Sequence, residues 1–196
     1  MVTAYLALLV LLAGERIVEL DLSRRNAAWA FAHGGIEVGR GHFAAMRVLH
    51  AGFLVACGAE AALAGRPFVP ALGVPMLAVA LAAQALRYWA IASLGPRWNV
   101  RVIVVPGMPA VTRGPYRFLR HPNYVAVALE GVAVPLVHGA WITAVAFTLL
   151  NAALLAVRIR CEEEALARHC GYGERLGSRP RFLPAAPRGE PCTPIS

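Results

Sequence analysis

Two stretches of this 196-residue chain gather side chains that do chemistry. The first is Thr112-Arg113-Gly114-Pro115-Tyr116-Arg117-Phe118-Leu119-Arg120-His121-Pro122-Asn123-Tyr124. The second is Arg158-Ile159-Arg160-Cys161-Glu162-Glu163-Glu164. Together they supply guanidinium, imidazole, phenol and carboxylate groups, a set suited to a ligand with both a carboxylate and an ammonium. Arg117, Arg120, Arg158 and Arg160 offer the planar fork that clamps a carboxylate through parallel hydrogen bonds. Glu162 or Glu163 would accept from the ammonium. Tyr116, Tyr124 and Trp98 offer aromatic faces for a flat ring or a cation. Pro122 stands where a first-turn helical proline belongs. That sets His121 at a helix N-terminus, where free backbone amides favour anions. The competing reading makes the same Arg residues anchors of basic loops and the Glu run a solvated helix face.

The elements that position these groups are written in the composition. Hydrophobic residues make up 58% of the chain, charged residues 15%, and mean hydropathy is +0.57. An ordinary soluble domain carries about 25% charged residues, so this composition points to an integral membrane protein. It excludes a disordered chain. Four Cys are too sparse for a disulfide scaffold. Cys57, Cys161, Cys170 and Cys192 form no CxxC pair, and no His/Cys cluster has zinc-ligand spacing, so no metal is expected. The net charge of +8 comes from 19 basic residues, all of them Arg. They fall between apolar runs and form no aromatic-interleaved stripe, which argues against a nucleic-acid partner.

Five apolar spans are drawn, at Val2–Leu22, Phe43–Leu63, Val69–Leu94, Asn123–Val137 and Ala140–Val157. A helix needs ~20 apolar residues to cross the hydrocarbon. The fold class read here is therefore all-α, with about five transmembrane helices. His138-Gly139 is nearly all that joins the last two, which makes them a tight antiparallel hairpin. A short helix on the cytoplasmic side is expected to follow, within 160–176. Val100–Val105 reads as an extended segment stopped by Pro106-Gly107. The division is one domain over 1–176 and a Pro-rich flexible tail over 177–196. Arg-rich segments follow spans one, three and five, and the positive-inside rule then puts the N-terminus outside and the C-terminus in the cytoplasm. The hairpin brings Arg158 back to the level of His121–Tyr124, so both chemical stretches meet at the cytoplasmic face.

Arg120-His121-Pro122-Asn123-Tyr124, an apolar hairpin, and then Arg158-x-x-x-Glu162-Glu163 resemble the isoprenylcysteine carboxyl methyltransferase family, roughly over Ser93 to Leu166. That resemblance implies a membrane enzyme using S-adenosylmethionine. It implies that His121, Pro122 and Tyr124 contact the cofactor, and that Arg158 with Glu162 or Glu163 holds its amino-acid end. The stretch Ser93-Leu94-Gly95-x-Arg97-Trp98-Asn99-x-Arg101, with Val105-Pro106-Gly107, Gly114–Tyr124 and Glu130, is similar to a bacterial branch of that family. Its members are often associated with type III polyketide synthases and methylate alkylpyrones or alkylresorcinols. The acceptor implied is an amphipathic phenol or enol with a long alkyl chain, ahead of an isoprenylcysteine carboxylate.

Such an acceptor must lose a proton, and Glu130 or His121 is the candidate base. Glu130 lies about two turns into the fourth span, and an ionisable group there is costly and usually functional. Its competing role is a structural partner for Arg87, His50 or Gln84. His50 itself reads as a hydrogen-bonded core residue. A second enzyme reading is a membrane reductase of the steroid-reductase type, with NADPH. Val127 stands where that group carries Glu. A small transporter or scaffold is the non-enzymatic reading, but the internal repeats a transporter shows are absent from the sequence.

Overall fold

The computed structural model describes residues 1–182. The elements are α1 (Val2–Ala32), β1 (Ile36–Val38), α2 (Arg40–Leu63), α3 (Pro70–Leu94), β2 (Val102–Val104), α4 (Pro122–Leu136), α5 (Trp141–His169) and α6 (Tyr172–Leu176). Single 3-10 turns lie at Gly95–Arg97 and Gly114–Arg117. All five apolar spans fall on helices. Among the described residues, three segments are long and apolar enough to cross a membrane: Phe43–Leu63, Pro70–Arg97 and Trp141–His169. α1 is long, but its second half carries Glu15, Arg16, Glu19, Asp21, Arg24 and Arg25. α4 has 15 residues, about 22 Å of helix against ~30 Å of hydrocarbon.

α1 continues ten residues past the expected end at Leu22, because one face of its polar second half is interior. Glu19, Ser23 and Asn26 are buried. Ser23 Oγ donates to Asn99 Oδ1 at 2.7 Å, and Asn26 Nδ2 donates to the Trp98 carbonyl at 2.7 Å. These bonds fasten α1 to the long loop between α3 and α4. The extended segment in that loop pairs antiparallel with β1, Ile36 opposite Val104 and Val38 opposite Val102. The expected polar helix is two pieces. α5 runs unbroken to His169, and α6 follows after Gly171 turns the chain at φ +59°.

Residues 177–182, the described part of the expected flexible tail, are hydrogen-bonded to the segment before α4. Arg120 N donates to the Pro180 carbonyl at 3.0 Å. The rest of that tail, Cys192 included, lies outside the described residues.

The hairpin of α4 and α5 is close-packed. Small residues let membrane helices approach, and Gly131 is such a point. A Cβ there would lie 2.6 Å from the Phe147 ring. That ring also packs on Phe53 of α2, centroids 4.1 Å apart, so it has no room to swing. Gly131→Ala is expected to destabilise the fold by about 1–3 kcal/mol through overpacking, read as a lower thermal midpoint in detergent.

Candidate functional site

α4 begins at Pro122 with His121 as its N-cap residue. The preceding loop is seated by Gly114, whose φ is +59° and whose Cβ would overlap Ser93 Oγ. Only glycine lets the loop lie this close to α3 with that backbone. One turn into α4, Tyr124 meets α5. Arg158 Nε donates to the Tyr124 hydroxyl at 2.7 Å, and that hydroxyl in turn donates to Glu162. Arg158 also donates to the Val100 carbonyl at 2.7 Å, with only 6% of its surface exposed. The result is a buried chain, Arg158 to Tyr124 to Glu162, across the seam of the hairpin.

Glu163 anchors a second group of contacts. His121 Nε2 lies 3.1 Å from Glu163 Oε1. A carboxylate accepts, so Nε2 carries a proton. Arg181 donates to the same carboxylate through Nε at 3.0 Å, and Arg120 stands 3.6 Å away. Tyr172 of α6 lies 3.3 Å from His121 Nε2. Burial, and then the Glu163 and Glu162 carboxylates, push the Tyr172 phenol above its ordinary range, so it remains a proton donor. Burial does the same to Tyr116 in the loop.

Two cavities meet at this seam. The loop-side cavity is walled by Trp98, Tyr116, Arg120, His121, Arg158 and Glu162, among others. The second, about 600 Å³, lies between α1, α2 and α5 and is lined mainly by apolar side chains such as Leu20, Leu54, Val127 and Leu155. Trp98, Asn99, Asn123, Tyr124 and Arg158 line both. Ile17 and Val48 also line the second cavity, yet are 68% and 73% exposed on the outer surface, so it opens between α1 and α2.

The structure thus brings together Arg120, His121, Pro122, Tyr124, Arg158, Glu162 and Glu163. Between the two carboxylates, Glu162 lines the loop-side cavity and Glu163 is held by His121 and Arg181. Arg117 is not brought in: it is exposed and stacks on Phe118, 4.6 Å from the ring centroid. Glu130 lines neither cavity and accepts two hydrogen bonds from Arg87. Asn123, Asn99 and Tyr172 were missed by sequence reasoning. Asn123 and Asn99 stand inside the quoted motifs, which is the signal available for them, whereas Tyr172 enters only through tertiary packing.

A family model described as "Isoprenylcysteine carboxyl methyltransferase (ICMT) family" matches residues 76–168. The chain is similar to the uncharacterized protein YpbQ of Bacillus subtilis (strain 168), 39% identical over 160 residues, which are 81% of this chain and 94% of that protein. It is also similar to an uncharacterized protein of Haemophilus influenzae (strain ATCC 51907 / DSM 11121 / KW20 / Rd), 27% identical over 153 residues, 78% of this chain and 88% of that protein. The matched segment runs from α3 through α5 and holds Arg120, His121, Tyr124, Arg158, Glu162 and Glu163, whereas Tyr172 and Arg181, which contact the same group, lie beyond it. The α1 and α2 walls of the second cavity lie outside it.

Proposed function

We propose that this chain, which belongs to the isoprenylcysteine carboxyl methyltransferase family, transfers a methyl group from S-adenosylmethionine to a lipophilic acceptor at the cytoplasmic face of a bacterial membrane. One observation supports this above the others: the Arg158–Tyr124–Glu162 chain sits where a polar, aromatic-walled cavity meets an apolar one open toward lipid.

The donor set fits the cofactor. Arg158 and Arg120 suit its carboxylate, Glu162 its ammonium, and Trp98 and Tyr116 its flat ring and sulfonium. When bound, S-adenosylmethionine supplies an electrophilic sulfonium methyl. Arg158 is held in place before any ligand arrives by Tyr124 and Val100. Ordering of this kind can supply ~7–11 kcal/mol of a displacement barrier. Trp98 and Tyr124 line both cavities, at the junction where the two ligands would meet. The acceptor chain enters sideways between α1 and α2. Of the two candidate bases, Glu130 is committed to Arg87, whereas His121 lines the loop-side cavity and leaves Nδ1 free of Glu163.

The acceptor class proposed is an alkyl phenol or pyrone polyketide, with a functional link to a type III polyketide synthase. An isoprenylcysteine carboxylate ranks below it. The Arg-rich segments give the orientation, N-terminus outside and site inside.

The test is binding of S-adenosylmethionine to the purified protein in detergent by calorimetry. Wild type is expected to bind, and His121→Ala and Glu162→Ala to bind about tenfold or more weakly, with unchanged thermal midpoints. Wild-type affinity in both variants overturns the assigned site. Binding of NADPH in place of S-adenosylmethionine overturns the reaction class.

A further inference from the structure

His50 is a polar side chain in the wall of the apolar cavity that the proposed chemistry at the seam leaves unused. It lies on α2, before the segment that carries the family match. Its Nδ1 lies 2.8 Å from the Met46 carbonyl of the preceding turn. A carbonyl only accepts, so Nδ1 bears the proton and Nε2 the lone pair. Among the described residues no protein group donates to Nε2. The ring is fixed on its other side by Phe147, edge to face at 5.3 Å.

Other charged groups line the same cavity: Arg158 donates to Tyr124, and Glu19 keeps one buried oxygen, Oε1, without a partner among the described residues. Arg16 donates to Glu19 and Gln84, and Arg87 donates to Glu130. Arg47 stacks on Phe43, 5.0 Å from the ring centroid. An imidazole locked in the Nδ1–H tautomer offers Nε2 to a hydrogen-bond donor. A carboxylate brings only lone pairs to such a nitrogen, whereas a neutral hydroxyl brings a proton.

We propose that His50 is a specificity-determining residue: its Nε2 accepts a hydrogen bond from a hydroxyl on a neutral, long-chain lipophile lodged in the cavity between α1, α2 and α5. This rests on the methyl-transfer reading and narrows its acceptor to a hydroxylated lipid. The hydroxyl end lies inside the cavity with His50. The chain leaves past Ile17 and Val48, where the cavity opens to lipid.

The experiment measures binding of a long-chain 5-alkylresorcinol and of its dimethyl ether to the full chain in detergent, by calorimetry. The two probes share the ring and the alkyl chain, and the ether replaces both hydroxyl donors with methoxy groups. Wild type is expected to bind the diol about tenfold more tightly, the worth of one ordinary hydrogen bond. His50→Phe is expected to bind both probes equally. His50→Gln, whose amide oxygen reaches about where Nε2 stands, restores the preference. S-adenosylmethionine affinity serves as the control for folding and is expected to be unchanged in both variants.

Retention of the diol preference in His50→Phe overturns the proposal. So does a wild type that fails to discriminate, or that binds neither probe. If either occurs while S-adenosylmethionine still binds, the methyl-transfer reading stands and only the role of His50 falls. Loss of cofactor binding in wild type removes both.

Discussion

Replacing Arg158 with leucine is expected to abolish measurable S-adenosylmethionine binding while leaving the helices folded. Arg158 joins three parts of the site. Its Nε donates to Tyr124 on α4, its Nη2 donates to the Val100 carbonyl in the loop, and its guanidinium lies 5.7 Å from the Tyr124 ring centroid. Leucine fills much of the same space and removes all three contacts. It also leaves the wall between the two cavities without its cation. Truncating one partner of a buried, hydrogen-bonded charge pair costs about 2–5 kcal/mol, a loss of roughly 30-fold to more than 1000-fold in affinity. Arg158→Lys is expected to fall between, since an ammonium keeps the charge and loses the planar fork. Calorimetry reads the affinity, and a thermal melt checks the fold. Wild-type affinity in the leucine variant would remove Arg158 from the site.

The part of this site legible in the sequence is the part that two local rules dictate. A proline after His121 can only open a helix, and a two-residue turn between apolar runs can only fold them back on each other. From those rules Arg158 returns to Tyr124 without knowledge of any neighbouring element. Interactions among distant segments are less legible. α1 reads as ending at Leu22 because Ser23, Arg24, Arg25 and Asn26 look like a solvated end. Ser23 and Asn26 are instead satisfied by Asn99 and the Trp98 carbonyl, from a loop more than seventy residues away. β1 is three residues long, too short for its alternation to register, and exists because Val102–Val104 offers it a partner. Arg181 sits in a Pro-rich stretch that reads as a flexible tail, yet it ion-pairs Glu163. Glu130 shows the same limit inside the membrane layer. An intramembrane carboxylate predicts function on general grounds, but only the packing of α3 on α4 shows Arg87 already holding it.

Arg87→Leu is expected to be the most destabilising change in the membrane layer. Glu15, Glu19 and Glu130 share the cations Arg16 and Arg87 in one cluster between α1, α3 and α4. Arg16 lies 2.8 Å from Glu19 and 3.8 Å from both Glu15 and Glu130, and Arg87 pairs with Glu130 while standing 3.8 Å from Glu19. Tyr88 and Gln84 donate to Glu15 as well. Without Arg87 three carboxylates face one guanidinium, and Glu130 keeps no hydrogen bond from α3. Breaking a buried pair from one side costs about 3–5 kcal/mol, because the surviving charge stays desolvated and unmatched. Removing both ends is different, since neither desolvation penalty remains. Arg87→Leu with Glu130→Leu is therefore expected to recover most of the lost stability. A double-mutant cycle on denaturant unfolding in micelles measures this, with strong coupling between the two positions as the expected result. Additive effects would mean the pair contributes nothing to holding α3 against α4. A separate variant, Glu130→Gln, tests the anchoring role, since Glu130 is held by Arg87 and lines neither cavity. If it only anchors Arg87, Glu130→Gln loses stability and its folded fraction methylates at the wild-type rate. If it takes the acceptor's proton, turnover per folded molecule falls further than stability does.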